Sequence, residues 1–120
     1  MKRILVVDDE TAILETLRDI LDAEGYEVAT ALNGQEGLKR MREVRPDLVL
    51  LDVMMPLLDG LGMLAVMRED PSWRDVPVVL MSAGKVPQLD QLSVRRFLAK
   101  PFELDALLDA VSQSLDGALA

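Results

Sequence analysis

The acidic side chains that follow two hydrophobic segments are the residues of this sequence whose types and spacing best suit chemistry. Asp8 and Asp9 come directly after segment 4–7, and Asp52 comes directly after segment 48–51. If both segments are strands that run in the same direction, three carboxylates meet in one small pocket. Such crowding is unfavourable unless a cation or shared protons compensate the negative charge. The spacing therefore predicts a metal site for phosphate chemistry.

Composition narrows the kind of metal and the source of the phosphate. The sequence contains neither cysteine nor histidine, which excludes thiolate zinc sites, imidazole catalysis and most transition-metal sites. Carboxylate oxygens suit Mg²⁺, which keeps several water ligands and bridges to phosphate groups. Any phosphohistidine that the protein uses must therefore come from a partner.

Two further polar residues end hydrophobic segments. Ser82 follows segment 78–81, and Lys100 follows segment 97–99, directly before Pro101. Taken alone, such a serine more often makes a turn, and a lysine before proline is more often a solvated surface residue. Beside the carboxylates, the hydroxyl can donate to a phosphoryl oxygen, and the ammonium group can balance the negative charge and pair with an added phosphate. Four of five predicted strands thus end in polar groups suited to one site.

Apolar segments alternate with segments of helical periodicity along the whole chain, which is typical of a parallel sheet covered by helices on both faces. Gly25 is placed to end the first helix and Asn33 to cap the second, while Pro46 prevents its continuation. The predicted strands are Arg3–Val7, Tyr26–Ala31 at the sheet edge, Leu48–Leu51, Val78–Met81 and Phe97–Ala99. The predicted helices are Thr11–Glu24, 33–44, Gly60–Glu69 and Glu103–Leu115, with at most a short helix at Gln88–Leu92.

Right-handed crossovers and short connections favour a doubly wound α/β fold of the flavodoxin-like (βα)5 type, with a five-stranded parallel sheet in the order 2-1-3-4-5. In this order strands one and three are neighbours, and ligands bind beyond their carboxyl ends. The order alone therefore places Asp8, Asp9 and Asp52 together. The helix residues predicted to face the core are Ile13, Leu14, Leu17, Ile20, Leu21, Leu64, Met67, Leu104, Leu107, Leu108 and Val111.

Size and charge limit the remaining possibilities. The chain has 120 residues, is 50% hydrophobic and has a net charge of -8, which predicts one domain with a real core and argues against direct binding to nucleic acid. A strand begins almost at the first residue, which leaves no room for a signal peptide, and no apolar segment is long enough to span a bilayer. We expect a cytoplasmic protein that does not contact the membrane.

The chain resembles the receiver domain of two-component response regulators over essentially all of its length. The resemblance implies a single receiver domain at residues 1–120 that acts as a signalling switch. The motifs that carry it are Val6-Val7-Asp8-Asp9-Glu10, Leu51-Asp52-Val53-Met54-Met55-Pro56 with Asp59-Gly60, Met81-Ser82-Ala83, and Lys100-Pro101-Phe102.

By this resemblance, Asp52 is the phosphoacceptor, and it takes a phosphoryl group from a sensor histidine kinase or a phosphotransfer protein. Asp9 and Asp52 would hold Mg²⁺ directly, helped by the backbone carbonyl of Met54, while Asp8 would act through water. The downstream partner would be another protein or an effector domain that this chain does not contain, since no output domain follows Leu115.

The resemblance also assigns the switch. Ser82 would hydrogen-bond the phosphoryl group and Lys100 would pair with it, next to a cis peptide bond before Pro101. Movement of Ser82 would vacate space that Phe97 fills. The output would be a population shift between two packings of the face around helix four, strand five and helix five of the family fold.

Three features depart from the usual family pattern. Phe97 lacks the hydroxyl group of the more common tyrosine, so a plain core phenylalanine is the alternative to a switch residue. The segment between Ser82 and Lys100 is about one helical turn shorter than usual, and Pro87 limits it further, which predicts a shortened fourth helical region. Met54 and Gly84 stand where the family often has polar groups that influence water attack, and they predict slow self-dephosphorylation.

Two other functions remain open. The shortened region suggests a receiver-like interaction module that signals without phosphorylation. An aspartate-nucleophile phosphohydrolase would need a second aspartate two residues after Asp52, where Met54 stands, so we expect no enzyme with steady turnover. A nucleotide-binding role is weaker still, because no glycine fingerprint follows the first strand.

Overall fold

Five parallel strands and four helices make up the part of the chain that the computed structural model describes, residues 1–86 and 92–116. A full (βα)5 pattern has five helices, one more than the described residues contain. In chain order the elements are β1 (Arg3–Val7), α1 (Thr11–Ala23), β2 (Glu27–Ala31), α2 (Gly34–Val44), β3 (Leu48–Asp52), α3 (Gly60–Glu69), β4 (Val78–Ser82), β5 (Arg96–Ala99) and α4 (Leu104–Leu115).

The strands form one sheet in the order β2-β1-β3-β4-β5, which confirms the predicted topology. β1 and β3 are direct neighbours, and Val7 pairs with Leu51. On the other side of β3, Asp52 pairs with Met81 of β4. Because all strands are parallel, the residues that follow them emerge at one edge of the sheet. The register therefore brings the ends of β1, β3 and β4 together.

The two faces of the sheet bury separate sets of side chains, because successive residues of a strand point to opposite faces. Strands β3 and β4 are buried at every residue, which explains their continuous apolar sequences. One face packs against α1 and α4 through Leu14, Leu17, Leu21, Leu107, Ala110 and Val111. The other face packs against α2 and α3 through Met41, Met63, Leu64 and Met67.

The prediction that Leu104 faces the core was wrong. Leu104 is 51% exposed, although it lies on the same helical stripe as Leu107 and Val111. It is the first residue of α4, and its side chain borders a surface cleft between α1 and α4 instead of packing on the sheet. Ile13 and Ile20 of α1 are half-buried and line the same cleft. The periodicity identified the helix face but not the point at which the sheet stops covering it.

The predicted helix boundaries are confirmed where they depended on local chemistry. Gly25 has a φ of 92°, a left-handed conformation that glycine adopts without a steric penalty. The Asn33 side chain accepts a hydrogen bond from the backbone N–H of Glu36 at 2.9 Å and caps α2. Gly25 thus lies where the chain turns from α1 towards β2, and Asn33 lies where it turns from β2 into α2.

The connection between β4 and β5 contains no helix in its described parts, residues 83–86 and 92–95. The short helix predicted at Gln88–Leu92 lies outside the described residues except for Leu92, as does Pro87. The guanidinium group of Arg68, near the end of α3, donates to the backbone carbonyl of Ser93 at 2.6 and 3.1 Å. It also donates to the carbonyls of Arg74 and Val76, each at 2.9 Å. One arginine thus ties the end of this connection to the turn before β4.

None of the described helices is long and apolar enough to span a bilayer.

Candidate functional site

Lys100 lies between two buried carboxylates at the edge of the sheet. Its Nζ is 2.7 Å from Oδ2 of Asp8 and 3.2 Å from Oδ1 of Asp52. Asp8 is fully buried, Asp52 is 5% exposed, and the lysine side chain is 14% exposed. Three charges are thus held together with little access to water, in the arrangement that the sequence predicted for the ends of strands one, three and five.

Backbone hydrogen bonds hold these side chains in place. The N–H of Asp8 donates to the carbonyl of Ala31 at 3.1 Å, continuing the pairing of β1 with β2. The N–H of Lys100 donates to the carbonyl of Ser82 at 2.8 Å, continuing the pairing of β5 with β4. Oδ1 of Asp8 accepts from the N–H of Glu10 at 3.0 Å, which fixes the carboxylate's orientation. Asp52 is the last residue of β3, while Asp8 and Lys100 directly follow β1 and β5, and the hydrogen bonds of the sheet continue through their backbone N–H groups.

A group of three carboxylates could hold a cation beside this ion pair. Single oxygens of Asp8, Asp9 and Glu10 lie within 4.8 Å of one another, with Asp9 and Glu10 exposed. Asp52 connects to this group through Lys100. A set of oxygen donors with excess negative charge fits Mg²⁺ by its chemistry. Glu10 was not predicted as a ligand, and its place as the third consecutive acidic residue was the only signal in the sequence.

Burial and neighbouring charges shift the protonation equilibria of the pair. Burial raises the pKa of the Asp52 carboxyl, the charge of Asp8 raises it further, and Lys100 opposes both effects. For Lys100, burial alone would lower the pKa of the ammonium group, but its hydrogen bonds and charge interactions with Asp8 and Asp52 outweigh burial and raise it. Lys100 is therefore a cation near neutral pH. The negative charge of Asp52 is disfavoured by burial and by the neighbouring charge of Asp8, and is stabilised only in part by Lys100.

The start of α3 packs directly against the backbone of Asp52. A Cβ atom at Gly60 would collide with the carbonyl oxygen of Asp52, so only glycine allows this approach. The N–H of Gly60 donates to the carbonyl of Val53 at 2.9 Å, and the Asp59 side chain caps the helix by accepting from the N–H of Gly62 at 2.8 Å. The resemblance included Asp59 and Gly60 among its motifs but implied no role for them. Together they fix the position of Asp52.

The remaining predicted site residues differ in their exposure to solvent. Ser82 is buried, and its Oγ accepts from the N–H of Gly84 at 3.1 Å. Phe97 is half-buried and packs on the core of the α2–α3 side. The Met54 side chain is exposed, and the peptide bond between Lys100 and Pro101 is cis, the isomer that the resemblance implied.

The sequence of this chain is similar to those of known response regulators. PleD of Caulobacter vibrioides, a response regulator, is 42% identical over 94% of this chain, but the match covers only 26% of PleD. DivK of Brucella anthropi, a polar-differentiation response regulator, is 29% identical, with 98% of both chains covered. The first curated relatives that match are two to four times longer than this chain.

A solved structure and a family model complete the comparison. The response regulator TrrA of Thermotoga maritima, solved in complex with Mg²⁺-BeF, has a TM-score of 0.85 and 38% identity, with 94% of this chain and 98% of that chain covered. The family model described as the response regulator receiver domain matches residues 4–112. This chain therefore belongs to the response regulator receiver domain family.

Proposed function

We propose that Asp52 accepts a phosphoryl group from a phosphohistidine of a partner protein, in a reaction that depends on Mg²⁺. The observation that carries the proposal is Lys100, whose ammonium group bridges Asp8 and Asp52 at 2.7 and 3.2 Å. It places a positive charge beside the carboxylate that would receive the negatively charged phosphoryl group. The relationship to TrrA, solved with Mg²⁺-BeF, supports the same chemistry here.

In the proposed transfer, a carboxylate oxygen of Asp52 attacks the phosphorus atom of the donor. A P–O bond forms, the P–N bond breaks, and its electron pair stays on the donor's imidazole nitrogen, which takes a proton from water. Lys100 neutralises part of the negative charge on the phosphoryl oxygens and then pairs with them in the product. The hydroxyl group of Ser82, at the end of β4 next to β3, would donate a hydrogen bond to the same group.

Asp9, Asp52 and the carbonyl of Met54 are the proposed direct oxygen ligands of Mg²⁺, and Asp8 would act through water. An oxygen of Glu10 lies within 4.8 Å of oxygens of Asp8 and Asp9, so Glu10 could join the site directly or through water. When bound, the ion neutralises charge on the transferring phosphoryl group and orients it. Asp9 and Glu10 are exposed, so an ion can reach them without opening the core. The side chain of Asp8 already uses both oxygens, one towards Glu10 N–H and one towards Lys100, which suits a role through water.

The proposed output is a change in the surface around β5. Ser82 lies at the end of β4, and Phe97 lies in the adjacent strand β5. A phosphoryl group that draws the Ser82 hydroxyl towards it changes the packing around Phe97, which is only half-buried. The altered surface would bind a downstream protein or an effector domain of a longer chain. A sensor histidine kinase or a phosphotransfer protein would supply the phosphoryl group.

The test is incubation with acetyl phosphate and Mg²⁺, followed by intact-mass measurement. We expect a mass gain of one phosphoryl group that disappears in Asp52→Ala and on chelation of the metal. Asp22→Asn, which changes an exposed aspartate of α1, serves as the matched control and should label normally. No mass gain in the wild type, with partner binding retained, would favour a module that signals without phosphorylation. Continuous release of phosphate from small esters would favour a phosphohydrolase.

A further inference from the structure

A cleft with basic and aromatic walls lies at the edge of the sheet opposite to Asp52. It runs between the end of α2, with the turn into β3, and the turn that connects α3 to β4. Its volume is about 550 Å³, which is in the range of small-molecule sites. Asp52 and Ser82 end β3 and β4, whereas the cleft lies beside the starts of these strands, so the proposed phosphoryl chemistry does not account for it. The side chains of its walls include Met41, Arg42, Arg45, Asp70, Trp73 and Val76.

Trp73 gives the cleft a flat aromatic wall. It is the single tryptophan of the chain, it is half-buried, and it packs on the core of the α2–α3 side. The Cζ atom of Arg42 lies over the indole, 5.5 Å from the ring centroid, and this cation–π contact joins the two walls. Arg68 fixes the turn behind the indole by donating to the carbonyls of Trp73 and Val76 at 3.4 and 2.9 Å. The cleft therefore presents preformed flat surfaces on which an aromatic ring can stack.

Arg45 reaches the cleft from a backbone conformation that arginine rarely adopts. Its φ is 53°, in the left-handed region where the Cβ atom crowds the backbone. It follows α2, and its N–H donates to the carbonyl of Met41 at 3.1 Å. After α1 the chain uses Gly25 at a φ of 92°, and glycine takes this conformation without a steric penalty. The Arg45 side chain is exposed, so its burial does not offset the strain, and such strain is a reason to look for function.

The charges of the walls favour an anionic ligand. Neither Arg42 nor Arg45 forms an ion pair with a carboxylate of the described residues. Asp70 is the acidic residue of the walls, and one of its oxygens accepts from the N–H of Ser72 at 2.8 Å. The two arginines and one aspartate leave an excess of one positive charge in a chain whose net charge is -8. A small anion is attracted to this cleft, whereas a long polyanion would also meet the repulsion of the remaining chain.

We propose that this cleft binds a purine mononucleotide, whose base stacks against Trp73 and whose phosphate pairs with Arg42 and Arg45. A purine supplies the planar ring that the indole and guanidinium surfaces accept. A phosphate supplies several acceptor oxygens and more negative charge than a carboxylate, which suits two guanidinium groups. The cleft shares no residue with the carboxylate site, so the proposal does not depend on phosphoryl transfer to Asp52.

The test is titration of the protein with AMP, with dissociation constants measured by calorimetry. AMP should change the fluorescence of Trp73 until the signal saturates, and because the chain has a single tryptophan, this signal reports on the cleft alone. Arg45→Asn should weaken AMP binding about tenfold, since one charged hydrogen-bond donor is lost. Asparagine accepts the left-handed conformation, so the Tm of this variant should not fall. Adenosine and ribose phosphate should each bind about tenfold more weakly than AMP, because each lacks one of the two recognised groups.

The matched control is Lys39→Gln, which removes an exposed positive charge of α2 outside the cleft. It should bind AMP as tightly as the wild type. The proposal is overturned if the wild type does not bind AMP, or if Arg45→Asn binds it with unchanged affinity. Calorimetric binding without any change in tryptophan fluorescence would place the nucleotide elsewhere and reject this cleft. Adenosine that binds as tightly as AMP would reject the pairing of phosphate with the two arginines.

Discussion

Lys100 is closer to Asp8 than to Asp52: its Nζ lies 2.7 Å from Asp8 Oδ2 and 3.2 Å from Asp52 Oδ1. The lysine therefore serves first as the countercharge of a fully buried carboxylate. Replacing one partner of a buried ion pair leaves the other charge uncompensated. The same side chain thus supports both the fold and the proposed chemistry, and the two roles can be separated by experiment.

Lys100→Met should lower the free energy of unfolding by about 3 kcal/mol at neutral pH, because Asp8 loses its cation. The measurement is urea denaturation, with the exposed Lys39→Met as control. The Lys100 pKa is raised on folding, so the ion pair stabilises fully below the ordinary lysine pKa of about 10.4 and loses its effect as the pH rises through the folded-state value. A loss under 1 kcal/mol at neutral pH would contradict this role.

Asp52→Asn should raise the free energy of unfolding by about 1 kcal/mol at neutral pH, since it removes a charge that folding disfavours. The pKa of Asp52 is raised by burial and by Asp8. A raised carboxyl pKa means that the folded state binds the proton more tightly, so ionisation above this pKa costs stability. The difference between variant and wild type should vanish as the pH falls below about 3.9. A variant less stable than the wild type near neutrality contradicts the electrostatic account.

Gly60→Ala should destabilise the protein by about 2 kcal/mol, as expected when an added methyl group must displace packed backbone. The collision is with the carbonyl of Asp52, so phosphorylation by acetyl phosphate should also slow. Gly84→Ala is the control for stability, because a Cβ atom there meets nothing within 4 Å. The measurement is the Tm of both variants in thermal unfolding. Equal changes in Tm would show that the close approach at Gly60 is unimportant.

Arg68→Ala should lower the free energy of unfolding by about 2 kcal/mol, because several hydrogen bonds from a charged donor are lost. The loss should be local to the start of β5, where the N–H of Arg95 donates to the carbonyl of Val78 at 2.8 Å. Hydrogen exchange of that amide should accelerate more than exchange in β1. Arg68→Lys keeps the charge but not the forked geometry, so full rescue by lysine would show that charge alone matters.

The phosphorylated protein should lose its phosphoryl group slowly. Met54 exposes an apolar side chain, and Gly84 has none, so neither orients a water molecule for attack. Met54→Asn should shorten the lifetime roughly tenfold, less than a full general base provides. The measurement is the decay of intact mass after removal of acetyl phosphate, with Mg²⁺ present. A wild-type lifetime of only seconds would contradict the prediction.

The sheet and its charged edge could be predicted because their signals are local and regular. The apolar segments before Asp8, Asp52, Ser82 and Lys100 have the length of strands, and parallel order then brings their ends together. The structure has these strands within one residue of the predicted bounds. Lys100 followed from the same rule, since it ends the fifth strand beside the carboxylates.

Three other features could not be predicted from residue types, because they depend on contacts between distant parts of the chain or on the position of a residue in the fold. Arg68 binds backbone carbonyls, which every residue has, so no pattern of residue types predicts the contact. Leu57 has a φ of 67°, but it is neither the glycine nor the asparagine that usually marks a left-handed turn. Leu104 continues the apolar stripe of α4 past the point where the sheet covers it. Each of these three features is determined by the tertiary structure around the residue and not by the local sequence pattern.

Both outer strands of the sheet are short, since β2 has five residues and β5 has four. Each carries an exposed charged side chain, Glu27 on one side and Arg96 on the other. Short, charged outer strands are poor templates for a foreign strand, which limits amyloid-like growth through the open hydrogen-bonding groups. Association of two copies of the chain through their sheet edges is therefore disfavoured at both β2 and β5.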